Sequence, residues 1–178
     1  MVNRVMKKSD LKKHIRDVPD FPKEGIIFKD ITTLLKDKDA FKKSIDLLAK
    51  KFSKKNIDMV VGVEARGFIF GAALAYKLKA GFVPIRKKGK LPSKTKSVTY
   101  DLEYGTDVLE MHEDALSEKS RVLIVDDLLA TGGTIQASIE LVKSQNATIA
   151  GVAFLVELRF LKGKNKLKDL PVYSVIKY

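Results

Sequence analysis

The stretch Arg121-Val122-Leu123-Ile124-Val125-Asp126-Asp127-Leu128-Leu129-Ala130-Thr131-Gly132-Gly133-Thr134 decides how the rest of the chain is read. Its aliphatic start, Arg121 to Val125, reads as a strand buried on both faces, and Thr134 to Ser144 reads as the helix that follows. Two acids therefore stand at the carboxyl end of a buried strand, the edge of an open α/β sheet where ligands bind. Beyond them, Gly132 and Gly133 carry no side chain to hold an anion away, so backbone N–H groups at the start of the next helix can point at a phosphate. Thr131 and Thr134 add hydroxyl donors. Acids beside a phosphate cradle repel it unless they meet something else, and the cis-diol of a ribose, which donates two hydrogen bonds, suits them. The pattern spells sugar phosphate. It lacks the Gly-Lys-Ser/Thr of a nucleotide-triphosphate loop and the Gly-x-Gly-x-x-Gly of a dinucleotide site. The plain structural alternative is a helix entry with acids as caps.

Working outward, Met59-Val60-Val61-Gly62-Val63 predicts a second buried strand, the turn Glu64-Ala65-Arg66-Gly67 follows it, and Phe68 to Lys79 predicts a small, apolar helix. Phe82 to Ile85 reads as the next strand. It leads into Arg86-Lys87-Lys88-Gly89-Lys90-Leu91-Pro92-Ser93-Lys94-Thr95-Lys96, a basic segment broken by Gly and Pro and expected to be a mobile loop. Val98 to Tyr104 and Asp107 to Met111, separated by Gly105 and Thr106, predict a hairpin. Ile149 to Leu158 and Val172 to Ile176 supply two further strands. Towards the amino terminus, Phe41, Ile45, Leu48 and Phe52 recur at helical spacing behind Asp37 or Asp39 as cap, and Ser9 is positioned to cap a short helix carrying Leu11 and Ile15. Strands alternating with helices predict an α/β fold, a mainly parallel twisted sheet with helices on both faces. A length of 178 residues, 45% of them apolar, fits one domain, residues 1–178.

The net charge of +12 asks for an anionic partner: nucleic acid, a membrane surface or a small polyphosphate. Lysines are spread along the chain, whereas Arg occurs only at 4, 16, 66, 86, 121 and 159. At Arg66 and Arg86 the planar fork that grips two phosphate oxygens gives a reason for the choice. With no Cys and two isolated histidines, His14 and His112, no disulfide framework or protein-only zinc cage is expected. The basic amino terminus lacks the apolar stretch of a secretory signal, and the longest apolar run, Ile149 to Val156, is too short to span a bilayer. A cytoplasmic protein with no membrane partner is expected.

The segment 121–134 resembles the phosphoribosyl-pyrophosphate motif of the type I phosphoribosyltransferases. Asp20-Phe21-Pro22, Gly25-Ile26-Ile27-Phe28-Lys29-Asp30-Ile31, Glu64-Ala65-Arg66-Gly67-Phe68, Arg86 to Pro92 and Leu102-Glu103-Tyr104-Gly105 follow the order and spacing of that family's adenine branch. The resemblance runs from about residue 18 to the last strand. It implies a small amino-terminal hood, residues 1–35, on a core, residues 36–178, with a flexible loop at about 86–104.

What the resemblance implies for the site follows position by position. Asp126 and Asp127 orient the ribose, and Ala130, Thr131, Gly132, Gly133 and Thr134 hold the 5′-phosphate. Glu64, Ala65 and Arg66 form a pyrophosphate loop, which in relatives contains a cis peptide bond without proline. Arg86, Lys87 and Lys90 belong to a loop that closes on pyrophosphate, and one basic residue of this region reaches the neighbouring subunit's site, implying a homodimer. Glu103 matches the catalytic carboxylate, suited to assist proton loss from the base as its nitrogen attacks the ribose. Ile27, Phe28 and Lys29 match the part of the hood that reads adenine. The family usually has Arg where this chain has Lys29, and a backbone contact survives that change. Mg2+ is expected to arrive with phosphoribosyl pyrophosphate, held mainly through substrate and water. The implied reaction is transfer of a phosphoribosyl group to adenine, giving AMP and pyrophosphate. A different base is the nearest alternative. A nucleic-acid-binding regulator that senses phosphoribosyl pyrophosphate is another, but 178 residues leave little room for a DNA-reading domain, and no nucleic-acid partner is expected.

Overall fold

A computed structural model describes residues 6–101 and 105–178. The chain gathers into two compact units, Met1–Leu47 and Leu48–Tyr178.

In the first unit a 3-10 turn, Lys8–His14, buries Leu11. Ser9 lies inside this turn instead of capping it; the Lys7 N–H is taken by the Asp10 carboxylate at 3.0 Å. Strands β1 (Arg16–Pro19) and β2 (Ile27–Asp30) then pair antiparallel, with Val18 opposite Phe28. A short helix α1 (Thr32–Lys36) leads to α2 (Lys38–Phe52). Of the two candidate caps, Asp37 serves: its Oδ1 accepts from the N–H groups of Asp39 and Ala40 at 3.0 and 2.9 Å. Ile45, Leu48 and Phe52 are buried as the helical spacing requires.

The second unit is built on a seven-stranded sheet. Its strands are β3 (Met59–Val63), β4 (Gly81–Lys87), β5 (Thr95–Asp101), β6 (Thr106–His112), β7 (Arg121–Leu129), β8 (Thr148–Glu157) and β9 (Val172–Lys177), in the order β5-β6-β4-β3-β7-β8-β9. The run β4-β3-β7-β8-β9 is parallel, and β6 joins β4 and β5 antiparallel. The β-branched runs of β3 and β7 are fully buried, the pattern of strands covered on both faces. Helix α3 (Gly67–Leu78) crosses from β3 to β4, and α4 (Gly133–Lys143) crosses from β7 to β8. These crossovers leave adjacent strands in opposite directions, so right-handed connections put the two helices on opposite faces of the sheet. The expected α/β architecture is therefore the observed one.

Strands take up more of the basic segment than expected. Arg86 and Lys87 complete β4, opposite Glu110 and Leu109 of β6, and β5 begins at Thr95, leaving only residues 88–94 as connection. The antiparallel partner β6 supplies the backbone bonds that extend both strands past the point where apolar patterning ends.

Candidate active site

The ladder between β3 and β7 runs from Met59 opposite Val122 to Gly62 opposite Val125 and then ends, while β7 continues beside β8 as far as Leu129 opposite Glu157. A fork opens between β3 and β7, where the crossovers diverge, the position at which open α/β sheets bind ligands. Asp126 and Asp127 lie in that fork, still within β7 instead of beyond its end. Asp126 is half-buried and Asp127 is 4% exposed, and the two carboxyl groups lie close enough to interact. The Asp127 N–H donates to the Asp126 carboxylate at 2.8 Å. Gly67, the first residue of α3, packs so close that a Cβ there would lie 2.8 Å from Asp126 Oδ1. Only a glycine lets the β3 turn and the acid pair meet.

Burial raises the Asp126 carboxyl well above its ordinary value, and the neighbouring Asp127 charge adds to this. Burial also raises Asp127, opposed by the Arg66 guanidinium. Arg66 Nε stands 2.8 Å from Asp127 Oδ2, an ion pair; that oxygen receives no aligned hydrogen bond.

After β7 the chain turns through Ala130, Thr131 and Gly132, whose φ of +87° is left-handed and easiest for glycine, into α4. The first bond of the helix runs from Gln136 N to Gly132 O at 3.1 Å, so the N–H groups of Gly133, Thr134 and Ile135 precede the ladder and point out of the helix end. Residues 126 and 128–135 line a cavity of about 70 Å³. All five residues from Ala130 to Thr134, read from the sequence as a phosphate cradle, are brought together around it.

Two further residues meet the cradle that sequence reading did not single out. The backbone of Gly163 lies against the loop: a Cβ on it would collide with the Ala130 carbonyl oxygen and sit 3.0 Å from Gly132 N, and a Cβ on Gly132 would lie 2.9 Å from Gly163 O. A lone glycine among lysines carries no signal of such a contact. Tyr100 of β5, its phenol raised by burial, stands beside the Thr134 side chain, Asp107 and Lys87.

On the other side of the fork, Glu64 follows β3 with its N–H bonded to Ile85 O at 2.9 Å, and the Glu64–Ala65 peptide is cis. The Glu64 carboxylate faces β4: Arg86 Nε and Nη2 donate to its two oxygens at 3.2 and 2.8 Å, and the Lys87 N–H donates at 3.1 Å. The Arg86 bonds hold this carboxyl below its usual value against the opposing effect of burial. Arg86 also donates to Lys90 O at 2.9 Å, tying down the turn. Lys87 Nζ pairs with Asp107 at 3.0 Å, and Lys90 is exposed. Glu64, Ala65, Arg66, Arg86, Lys87 and Lys90 are thus gathered on the β3–β4 side of the fork.

In the first unit, Ile27, Phe28 and Lys29 form most of β2. Ile27 is 56% exposed, and Phe28 meets Phe21 edge to face with centroids 5.2 Å apart. Lys29 Nζ donates to Asp17 at 2.7 Å, so its charge is matched within the unit. Glu103 lies outside the described residues, on the connection between β5 and β6, whose last described pair is Asp101 opposite Thr106. Among the described residues no three His, Asp or Glu side chains converge as metal ligands.

Against known proteins, residues 30–177 match the model of the phosphoribosyl transferase domain. The adenine phosphoribosyltransferase of Acidobacterium capsulatum is 61% identical over 168 residues, covering 94% of this chain and 93% of that one. Among solved structures, adenine phosphoribosyltransferase from Thermoanaerobacter pseudethanolicus superposes with a TM-score of 0.94 at 55% identity, over 97% of this chain and 100% of that one. The Saccharomyces cerevisiae enzyme, complexed with adenine and an imino-altritol bisphosphate, gives 0.89 at 42% identity, over 94% and 97%. Near-complete mutual coverage at this identity identifies the chain as a member of the adenine phosphoribosyltransferases, within the phosphoribosyl transferase domain family.

Proposed function

We propose that the chain transfers the 5-phosphoribosyl group from phosphoribosyl pyrophosphate to adenine, giving AMP and pyrophosphate in purine salvage. The observation that carries this reading is the fork itself, where two acids, a helix N-terminus and Arg66 come together within a few residues of one another. Asp126 and Asp127 accept from the ribose hydroxyls. The N–H groups from Gly133 onward and the Thr131 and Thr134 hydroxyls bind the 5′-phosphate. Arg66, the backbone of Glu64 and Ala65, and Arg86, Lys87 and Lys90 hold the leaving pyrophosphate. Glu103 takes the proton that adenine loses as its nitrogen attacks the ribose carbon.

Magnesium keeps several waters and is bound beside substrate phosphates, so it would be held mainly through phosphoribosyl pyrophosphate and water. Asp127 Oδ2 is engaged by Arg66, which leaves the half-buried Asp126 as the carboxylate beside the ion. When bound, the ion supplies neutralisation of the charge that develops on pyrophosphate. Adenine is read by Ile27, Phe28 and Lys29, the aromatic against the base face and the flanking backbone at its edge.

A homodimer and a cytoplasmic location complete the reading. Ile69 and Tyr76, 40% and 88% exposed, stand two turns apart with Ala72 on one face of α3, an apolar stripe that suits a second copy. No helix among the described residues is long and apolar enough to cross a membrane.

Incubation with phosphoribosyl pyrophosphate, magnesium and each of adenine, hypoxanthine, guanine, xanthine and orotate tests the choice of base, with nucleotides resolved by chromatography. AMP alone is the expected product. A different nucleotide would keep the transfer and overturn the reading of residues 27–29.

A further inference from the structure

Each cation assigned above to pyrophosphate from the β3 turn or the end of β4 is matched by a carboxylate of the chain: Arg66 by Asp127, Lys87 by Asp107 and Arg86 by Glu64. The last pair differs in kind from the others. Glu64 accepts from the Arg86 fork through both oxygens and also from the Lys87 backbone N–H, three donors converging on one carboxylate. That is how an edge of a phosphate group is held, two oxygens against a planar fork with a backbone amide beside them. Yet Glu64 belongs to the turn whose backbone is to hold pyrophosphate, and its side chain is only 18% exposed. A fixed carboxylate so close to a polyanion repels it, and little water is available to screen the two. The conflict disappears if carboxylate and pyrophosphate exchange places on the same donors.

We infer that Glu64 is an intramolecular stand-in for pyrophosphate, occupying the Arg86 guanidinium and the Lys87 N–H and yielding them when pyrophosphate binds. This rests on the assignment of Arg86 to pyrophosphate. Glu64 is then a positioning residue with two effects. It presets the Arg86 fork in a geometry that accepts two oxygens. By reclaiming the fork, it also drives the product off, trading affinity for release. Lys90 contributes to the same field, its charge favouring the ionised Glu64, and its carbonyl accepts from Nη1, the third guanidinium nitrogen of Arg86.

The test is a double-mutant cycle on the full-length protein, reading the dissociation constant of magnesium pyrophosphate by calorimetry for wild type, Glu64→Gln, Arg86→Gln and the double variant. Glu64→Gln is expected to bind about tenfold more tightly, Arg86→Gln about tenfold more weakly, and the double variant as Arg86→Gln alone. Equal or weaker binding by Glu64→Gln, with Arg86→Gln still impaired, makes Glu64 a mere brace and overturns the inference while sparing the assignment of Arg86. A gain that persists without Arg86 is a general charge effect and overturns it equally. Unchanged binding by Arg86→Gln removes Arg86 from the pyrophosphate site and the inference with it. Should Glu64→Gln not fold, Glu64→Asp, which withdraws the carboxylate by one methylene, takes its place with the same expected gain.

Discussion

Asp126 illustrates how function and stability oppose each other at a single side chain. Its raised carboxyl holds a proton in the folded protein at pH values where the unfolded chain has released it. Stability therefore falls as pH rises from the ordinary carboxylate range through the folded value, and the penalty is complete above it. Asp126→Asn removes the penalty. Thermal unfolding should show a gain at pH 7 of about 2–4 °C for each kcal/mol relieved, shrinking towards nothing near pH 4. The same variant gives up a charged acceptor for the ribose, so turnover should fall about 10- to 100-fold. A variant that is less stable at pH 7 would contradict the assigned cause. Glu103 is the other residue on which the proposed chemistry turns. Glu103→Ala is expected to cut kcat by about 10²–10⁴-fold with phosphoribosyl pyrophosphate binding intact, and an unimpaired kcat would remove Glu103 from the mechanism.

Between elements, the decisive event is that β7 outlasts its pairing with β3, which leaves the acids and the cradle facing the β3 turn. Much of this was legible. Val60–Val63 and Val122–Val125 announce buried strands because parallel strands covered on both faces must be apolar throughout, and Thr-Gly-Gly-Thr announces a helix entry. Other parts were not. The β1–β2 pair carries Arg16, Asp17, Pro19, Lys29 and Asp30 on a small, strongly charged ribbon, so no apolar alternation marks it. The ends of β4 and β5 rest on backbone pairing with β6, which side-chain patterns do not record. Gly163 is invisible because its role is a close approach between loops distant in sequence. Gly163→Ala forces Ala130 and Gly132 to move, a kind of overpacking that costs about 1–3 kcal/mol. The KM for phosphoribosyl pyrophosphate should rise about tenfold or more, while that for adenine changes little. Equal shifts in both would show a general loss of structure instead.

At the scale of the whole molecule, a charge of +12 and an exposed apolar face on α3 are features that the fold alone leaves unused. The proposed homodimer uses the second. Sedimentation should give twice the chain mass for wild type and the chain mass for Tyr76→Glu combined with Ile69→Glu; a monomeric wild type would overturn the dimer. Substrates bearing several phosphates use the first, since a positive field raises their local concentration. The central claim is that this field and the fork serve catalysis and not the binding of nucleic acid. The most direct test is the rate of AMP formation from adenine and phosphoribosyl pyrophosphate with magnesium. The account predicts turnover in the usual enzymatic range, about 1–10³ s⁻¹, whereas no AMP, together with tight binding of duplex DNA at physiological salt, would contradict it.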